Sequence, residues 1–323
     1  MLTIVIPVYN REHTLPSTLA SVDAQTRRPE RVILVDNAST DSSLSIITDW
    51  AASRPYVTVL SEPKPGACAA RNRGLREVTT EWTMFFDSDD LMHPNHVADF
   101  TDAILRHPDA DILGRDIRIT FPQERSRIGY FMIHPDAMFW HFFRSSLSTQ
   151  RYIARTSLFR RVGGWNETVM GFNDLELGVR LLFTAPKIFK VGEGVSVTTR
   201  FQENSITGNR RSDHPEWWEH ALLTIRHLIE ALPGSHPRRA LWLSWTDARL
   251  IILAAQYKRE AALTDDPSEK SRRLTLASDL YHHTLSITSH PRCMAIFYRH
   301  YYRVGRLVWP LVSLFRPLLS KKA

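Results

Sequence analysis

Apolar and polar positions in the first third of the chain fall into alternating blocks. Leu2 to Val8 is an apolar run with β-branched residues, interrupted only by Thr3 and closed by Pro7 and Asn10, which predicts a buried strand. Leu15, Leu19 and Val22 recur at helical spacing, so a helix is expected from Leu15 to Ala24. Arg31 to Val35 predicts a second strand, ending at Asp36. Asn37 to Asp41 reads as a loop, with Asp41 or Ser42 available to cap a helix that carries Leu44, Ile47 and Trp50 on one face. Tyr56 to Leu60 predicts a third strand, Pro63 to Gly66 a loop, Ala67 to Val78 a helix, and Trp82 to Phe86 a fourth strand. This alternation implies an α/β fold with a mostly parallel sheet flanked by helices.

Farther on, His96 to Leu105 has helical spacing and Ala110 to Ile119 reads as a strand. Phe121 to Ile128 is polar and reads as a loop. Phe131 to Leu147 holds Phe131, Phe139, Trp140, Phe142 and Phe143; such rings either line a sugar site or pack a core, and packing is the commoner use. Lys187 to Thr199 predicts one or two strands. Glu216–Leu232, Arg238–Tyr257 and Ser268–Ile287 carry helical periodicity, punctuated by Pro233 to Pro237 and Thr264 to Pro267.

Composition narrows the class. With 323 residues, 43% hydrophobic and 23% charged, the chain is an ordinary globular one. A net charge of +7 favours anionic partners without choosing among nucleotide phosphates, acidic lipid and nucleic acid. From Pro291 onward there are seven Lys/Arg and no Asp or Glu, interleaved with aromatic residues. Such an end suits either the face of an acidic membrane or a helix docked on its own core. The basic charge gathers there rather than on one ordered surface, so no nucleic-acid partner is expected. Cys68 and Cys293 lie far apart, which suits a reducing cytosol and no disulfide scaffold. Neither a signal peptide nor a membrane-spanning run is apparent, so the expected location is cytoplasmic, either with peripheral contact at the inner membrane through 291–323 or with that end docked on its own core.

The strand ends carry the chemistry. Phe85-Phe86-Asp87-Ser88-Asp89-Asp90 runs from a buried strand into crowded carboxylates, which repel unless a cation sits among them. Hard cations such as Mg2+ and Mn2+ prefer carboxylate oxygens. In open α/β sheets ligands bind beyond the carboxyl ends of the strands, and here those ends are Pro7-Val8-Tyr9-Asn10, Asp36-Asn37 and Asp87-Ser88-Asp89. The glycine fingerprint for dinucleotides and the phosphate-binding P-loop are both absent.

Four segments in order, TIVIPVYNRE, VILVDNASTD, PGACAARNRGL and MFFDSDD, resemble the nucleotide-sugar-binding half of a family 2 glycosyltransferase of the GT-A fold. The resemblance is clear from Met1 to about His96, weaker to about Thr207, and then stops. It implies a catalytic domain over 1–208, with a nucleotide-sugar half (1–96) and an acceptor half (97–208), followed by a helical C-terminal region over 209–323. Pro7, Tyr9 and Asn10 match the loop along the nucleoside, with Arg11 after it. Asp36 matches the carboxylate that accepts the uracil N3–H; an imide N–H needs an acceptor, and an aspartate is acceptor-only. Gly66, Arg71 and Asn72 match the nucleotide-bordering segment, although Arg71 could instead be a structural partner of Asp87. Asp87 and Ser88 match the ribose side and Asp89 the metal ligand, for Mg2+ or Mn2+. Asp90 could cap the following helix.

Gly163-Gly164-Trp165-Asn166-Glu167 resembles the family's Gly-Gly-Phe-Asp-Glu segment, with two substitutions. Asn173-Asp174 resembles its Glu-Asp motif, whose second carboxylate is the catalytic base; the first acid is replaced here. A carboxylate in a first helical turn is stabilised by the helix dipole, so Asp174 is expected to be ionised, with Asn173 as N-cap. Glu176 and Arg180, four apart, read as a surface ion pair. In the late motif the metal-binding His position is Gln202. Either the metal is held more weakly, or Mg2+ with more waters is preferred, or a group such as His214 substitutes. Arg200 and Arg210-Arg211 could face the diphosphate or a solvated loop.

The resemblance thus implies an inverting, metal-dependent transfer from a nucleotide sugar, a UDP-sugar first, to a hydroxyl of a glycan or lipid-linked acceptor, with Asp174 as base. The alternatives are a non-catalytic nucleotide- or glycan-binding protein, favoured by Asn173 and Gln202, and a sugar nucleotidyltransferase, which would want a glycine- and lysine-rich first loop.

Overall fold

The structure is a computed structural model that describes residues 1–123, 125–201, 208 and 210–304. It divides into two compact units, Met1–Gln202 and Glu203–Ala323.

In the first unit the chain runs β1 (Leu2–Val8), α1 (Leu15–Asp23), β2 (Arg31–Asp36), α2 (Ser43–Ala52), β3 (Val57–Ser61), α3 (Ala67–Glu77) and β4 (Trp82–Phe85). It continues with β5 (Leu91–Met92), α4 (His96–Arg106), β6 (Ile112–Thr120), β7 (Ser126–Gly129), α5 (Ala137–Arg144), a 3-10 turn at Thr149–Arg151, β8 (Tyr152–Arg155), α6 (Thr156–Arg161), α7 (Asn173–Phe183) and β9 (Ile188–Thr199). The strands form one sheet in the order β3-β2-β1-β4-β8-β6-β9-β5, with β7 added to β6.

The first half is parallel throughout: β1 pairs with β2 and β4, and β2 with β3. Every residue of β1 is buried because the strand is central and covered on both faces. The second half is mixed. β8 lies antiparallel to both β4 and β6, while β9 runs parallel to β6 and antiparallel to β5. Two cores result. Leu2, Ile4, Ile6, Trp82 and Phe86 face α1 and α4 on one side, through Leu19, Val97 and Phe100. Val5, Ile33, Phe85, Leu75, Phe159, Trp165 and Leu177 pack on the other.

Several expectations change. The polar stretch read as a loop contains β7, because its backbone pairs with Ile117–Thr120; edge pairing overrides weak local propensity. Most of the aromatic stretch is core: Phe131, Phe142, Phe143 and Leu147 are buried, and the Trp140 indole donates to the His134 carbonyl at 2.7 Å. Glu176 and Arg180 are not a surface pair. Glu176 is 1% exposed, and Arg180 grips both of its oxygens at 2.6 and 2.7 Å while donating to the carbonyls of Val162 and Gly164. This ties α7 to the loop after α6. Removing one member of a buried pair strands the other, so Glu176→Ala should cost about 3–5 kcal/mol. Urea unfolding of the variant checks this.

The second unit contains α8 (Pro215–Glu230), α9 (Arg239–Ala261), α10 (Pro267–Ile287) and α11 (Pro291–Val304). Ion pairs tie it together: the buried Arg226 and Asp247 meet, Arg226 also donates to the Ile287 carbonyl, and the buried Arg273 meets the more exposed Glu269 and Asp213. Met294, Phe297 and Tyr301, on one face of α11, are buried, so this part of the basic end docks within its own unit. The tail beyond residue 304 lies outside the described residues. Among the described residues no helix is long and apolar enough to cross a membrane, and both cysteines are free.

Candidate active site

The ends of β1, β2 and β4, with the loops that follow them, meet at one edge of the sheet. After β1, Tyr9 is 55% exposed and Asn10 takes a left-handed backbone conformation at φ 48°. The Asn10 carboxamide accepts from the Thr40 N–H at 2.8 Å, which locks the first loop onto the second. Asp36, the last residue of β2, is buried. One of its oxygens accepts weakly from the Ser39 N–H at 3.4 Å, and Oδ1 has no hydrogen-bond partner among the described residues. A buried acceptor without a donor is costly, so this oxygen is open to a hydrogen-bond donor. Asn37 donates to the carbonyls of Glu62 and Lys64 and accepts from the Gly66 N–H at 2.8 Å, which holds the third loop under Asp36. Gly66 has φ 122°, a conformation that side chains resist.

Asp87 is held at both oxygens, by Arg71 at 2.7 Å and by Gln150 at 2.5 Å. The Arg71 guanidinium is buried, lies 4.4 Å from the Trp165 ring, and has Nε and Nη1 without partners among the described residues. Burial opposes its charge, but Asp87, together with Cys68 and Asp174, more than restores it and raises its pKa. Asn72 spends its amide on the backbone of Trp165 and on Glu167. Ser88 is buried and its carbonyl accepts from the Thr18 hydroxyl.

Asp89 has Arg11 at 3.5 Å, a loose pair. Burial and the nearby Asp87 charge push its carboxyl above the usual carboxylate value. Burial, Asp87 and Asp89 push Asp90 higher still. Asp90 caps no helix: Oδ1 accepts from the Arg200 N–H at 3.0 Å and Oδ2 has no partner among the described residues. Arg200 also donates to the Asp89 carbonyl at 2.5 Å, to the Ser17 and Thr18 hydroxyls and to the Thr14 carbonyl, so its guanidinium braces the acidic loop against α1.

Asp174 comes from α7, on the far side of the sequence. The residue before the helix is Phe172, in a left-handed conformation, and Asn173 is the first helical residue. Asn173 therefore does not cap; its amide donates to the Met170 carbonyl. The Asp174 carboxylate accepts from the Leu175 N–H at 2.8 Å. Burial raises its carboxyl, the Leu175 bond and the Arg71 charge lower it, and Asp87 raises it. The net shift is upward, so burial outweighs the stabilisation expected in a first helical turn. Asp87 thus raises both Asp89 and Asp174, while Arg71 pairs with Asp87 and lowers Asp174. Asp174 on α7 therefore feels both charges of the Arg71–Asp87 pair.

The family profile described as "Glycosyl transferase family 2" matches residues 3–162. Over residues 3–162 the chain belongs to glycosyl transferase family 2. An uncharacterized glycosyltransferase of Haemophilus influenzae is 25% identical over 204 residues, covering 58% of this chain and 65% of that protein. The match thus spans less than two thirds of that relative. Among solved structures, Staphylococcus aureus TarS 1-349 in complex with UDP-GlcNAc has a TM-score of 0.64 at 17% identity, covering 95% of this chain and 91% of that one. The mannosyltransferase PcManGT from Pyrobaculum calidifontis, in complex with GDP-Man and Mn2+, has a TM-score of 0.55 at 18% identity, covering 94% and 87%. The fold is of the GT-A type.

In this family 2 chain, Asn37, Gln150 and Arg200 brace the site, and the first two were not singled out from sequence. Asn37 stands beside Asp36 in a matched segment, so its position was the signal. Gln150 has no motif and reaches Asp87 across 63 residues of chain. Gln202 lies outside the described residues. In the second unit, His214 stacks on Trp217 at 3.9 Å, and Arg211 donates to Gln256 at 2.7 Å.

Proposed function

We propose that this chain is an inverting glycosyltransferase. The reading is that it moves a sugar from a nucleotide sugar, a UDP-sugar first, to a hydroxyl of a glycan or lipid-linked acceptor, with the chemistry in Met1–Gln202. What supports it is that Asp174 interacts electrostatically with both members of the Arg71–Asp87 pair, with Asp89 two residues beyond Asp87 in the same loop. That arrangement offers a leaving-group side and a proton-accepting side. The complexes of TarS with UDP-GlcNAc and of PcManGT with GDP-Man, both of the same fold, support a nucleotide-sugar donor.

On this reading Pro7, Tyr9, Asn10, Asp36 and Gly66 line the nucleoside, with the unpaired Asp36 oxygen accepting from the uracil. Arg71, Asn72, Asp87 and Ser88 build and border the ribose side. Asp89 suits Mg2+ or Mn2+ as the protein's share of a site completed by diphosphate and water oxygens, because its charge is poorly matched by Arg11 alone. Among the described residues no three His, Cys, Asp or Glu side chains gather as a full cage, which fits that division. Such a cation, when bound, neutralises charge on the departing diphosphate. Asp174 accepts the proton of the acceptor hydroxyl as its oxygen bonds to the anomeric carbon. The bond to the diphosphate breaks with its electron pair leaving on oxygen, and one displacement inverts the carbon. The lipid-linked part of the acceptor class rests on the basic end over 291–323.

Melting curves with UDP, UDP-GlcNAc and GDP-Man, with and without MnCl2, test the reading. Uridine nucleotides should stabilise the protein, and more so with Mn2+. A protein that none of these stabilises, and that releases no UDP from UDP-GlcNAc, would refute it. Asp36→Ala should weaken UDP binding about tenfold to a hundredfold, the worth of a hydrogen bond to a charged group. Calorimetric titration measures this, and unchanged affinity removes Asp36 from the base pocket.

A further inference from the structure

His141 lies fully buried in α5, outside every matched motif. Both ring nitrogens are used. The Leu147 N–H donates to Nδ1 at 3.2 Å, so the proton of the neutral ring sits on Nε2, which donates to the Leu175 carbonyl at 3.0 Å. The ring reaches the backbone of α7 because residue 178 is glycine; a Cβ there would lie 2.0 Å from Nε2. Leu175 is consequently held at both ends. Its N–H donates to the Asp174 carboxylate, and its carbonyl accepts from His141. The helix that carries His141 is itself fixed, by the Asp136 cap on the Phe139 N–H at 3.1 Å and by burial of Phe142 and Phe143.

We propose that His141 is a positioning residue for Asp174: its Nε2–H holds the Leu175 carbonyl, and through Leu175 it holds the first turn of α7 where the base must stand. The inference rests on reading Asp174 as the base. A hydrophobic side chain would fill the same space, but burying an imidazole is worthwhile only where both nitrogens are satisfied. Here one of those bonds goes to the residue that aligns the carboxylate. A misplaced base is costly, because small displacements of a reacting group remove much of the rate.

The test compares His141→Gln with His141→Asn, following UDP release from UDP-GlcNAc. Glutamine keeps a donor near the Nε2 position; asparagine keeps an acceptor near Nδ1. The expected result is that Gln stays within about threefold of wild-type kcat while Asn loses about tenfold or more, with the donor KM unchanged in both. The acid limb of the Asn profile should also move to higher pH, since a loosened Leu175 N–H stabilises the carboxylate less. Equal losses in both variants with an unmoved pH profile would overturn the inference, as would an Asn variant with wild-type kcat. Asp174→Asn is run beside them. If it is as fast as wild type, the base reading fails and takes this inference with it. If it is inactive while the two His141 variants match each other, only the inference fails. Should neither variant fold, a 15N-histidine spectrum of the wild-type protein reads the ring directly. An Nε2–H tautomer at His141 agrees with the proposal, and an Nδ1–H tautomer overturns it.

Discussion

Asp174→Asn is expected to lower kcat about a thousandfold while leaving donor affinity nearly unchanged. The substitution keeps the shape and an oxygen for the Leu175 N–H, so the first turn of α7 should stand. What it removes is the ability to take a proton. General base catalysis is worth roughly a hundredfold to ten-thousandfold, and no other carboxylate on α7 can replace it, because Glu176 is buried against Arg180. Donor affinity is spared because the residues read as nucleotide-binding come from the ends of β1, β2, β3 and β4 and the segments after them, and from α3, not from α7. Steady-state UDP release from UDP-GlcNAc, with kcat and KM separated, measures both quantities. The pH dependence has a defined sign. Burial raises the Asp174 carboxyl, and the base works only when ionised, so the wild-type rate should fall as pH drops through a value above the ordinary carboxylate range. An acid limb at or below the free aspartate value would argue against Asp174.

Asp89→Asn should lower kcat/KM about a hundredfold to a thousandfold and abolish the benefit of Mn2+ to UDP binding. Charge stabilisation of a leaving group by a bound cation is worth several kcal/mol. In the free protein the same change should be harmless. Burial and the Asp87 charge both disfavour an ionised Asp89, and the Arg11 contact at 3.5 Å returns little. The ligand-free variant should therefore melt no lower than wild type. Melting curves with and without UDP and MnCl2 separate the two effects. A variant that keeps the Mn2+ response would move the cation away from Asp89, and one that melts well below wild type would make Asp89 a structural residue.

The strand-end positions of Asp36, Asp87 and Asp89 were readable because each follows an apolar strand inside a short matched segment, and the sheet places them at one edge. The place of Asp174 in a first helical turn was readable from its motif, but its environment was not. A first-turn carboxylate looks ionised from sequence, and only the packing around it shows that burial dominates. Asn173 looked like a cap and is the first residue inside the helix. Glu176 and Arg180 had the spacing of a solvated pair and turned out to anchor α7 to the loop ahead of it. Arg71 carried two readings, and the structure adds the Asp87 pair.

The sequence by itself determined the alternation of strands and helices from Leu2 to Phe86, the parallel half of the sheet and the family, because those signals lie within windows of a few residues. Tertiary structure alone decided the antiparallel insertion of β8, the pairing of β7, the grip of Gln150 on Asp87 and the reach of His141 to Leu175. These depend on which distant segment arrives beside which, and on how much water is excluded when it does. Burial and long-range pairing are properties of the assembled sheet and helices, and no local pattern encodes them.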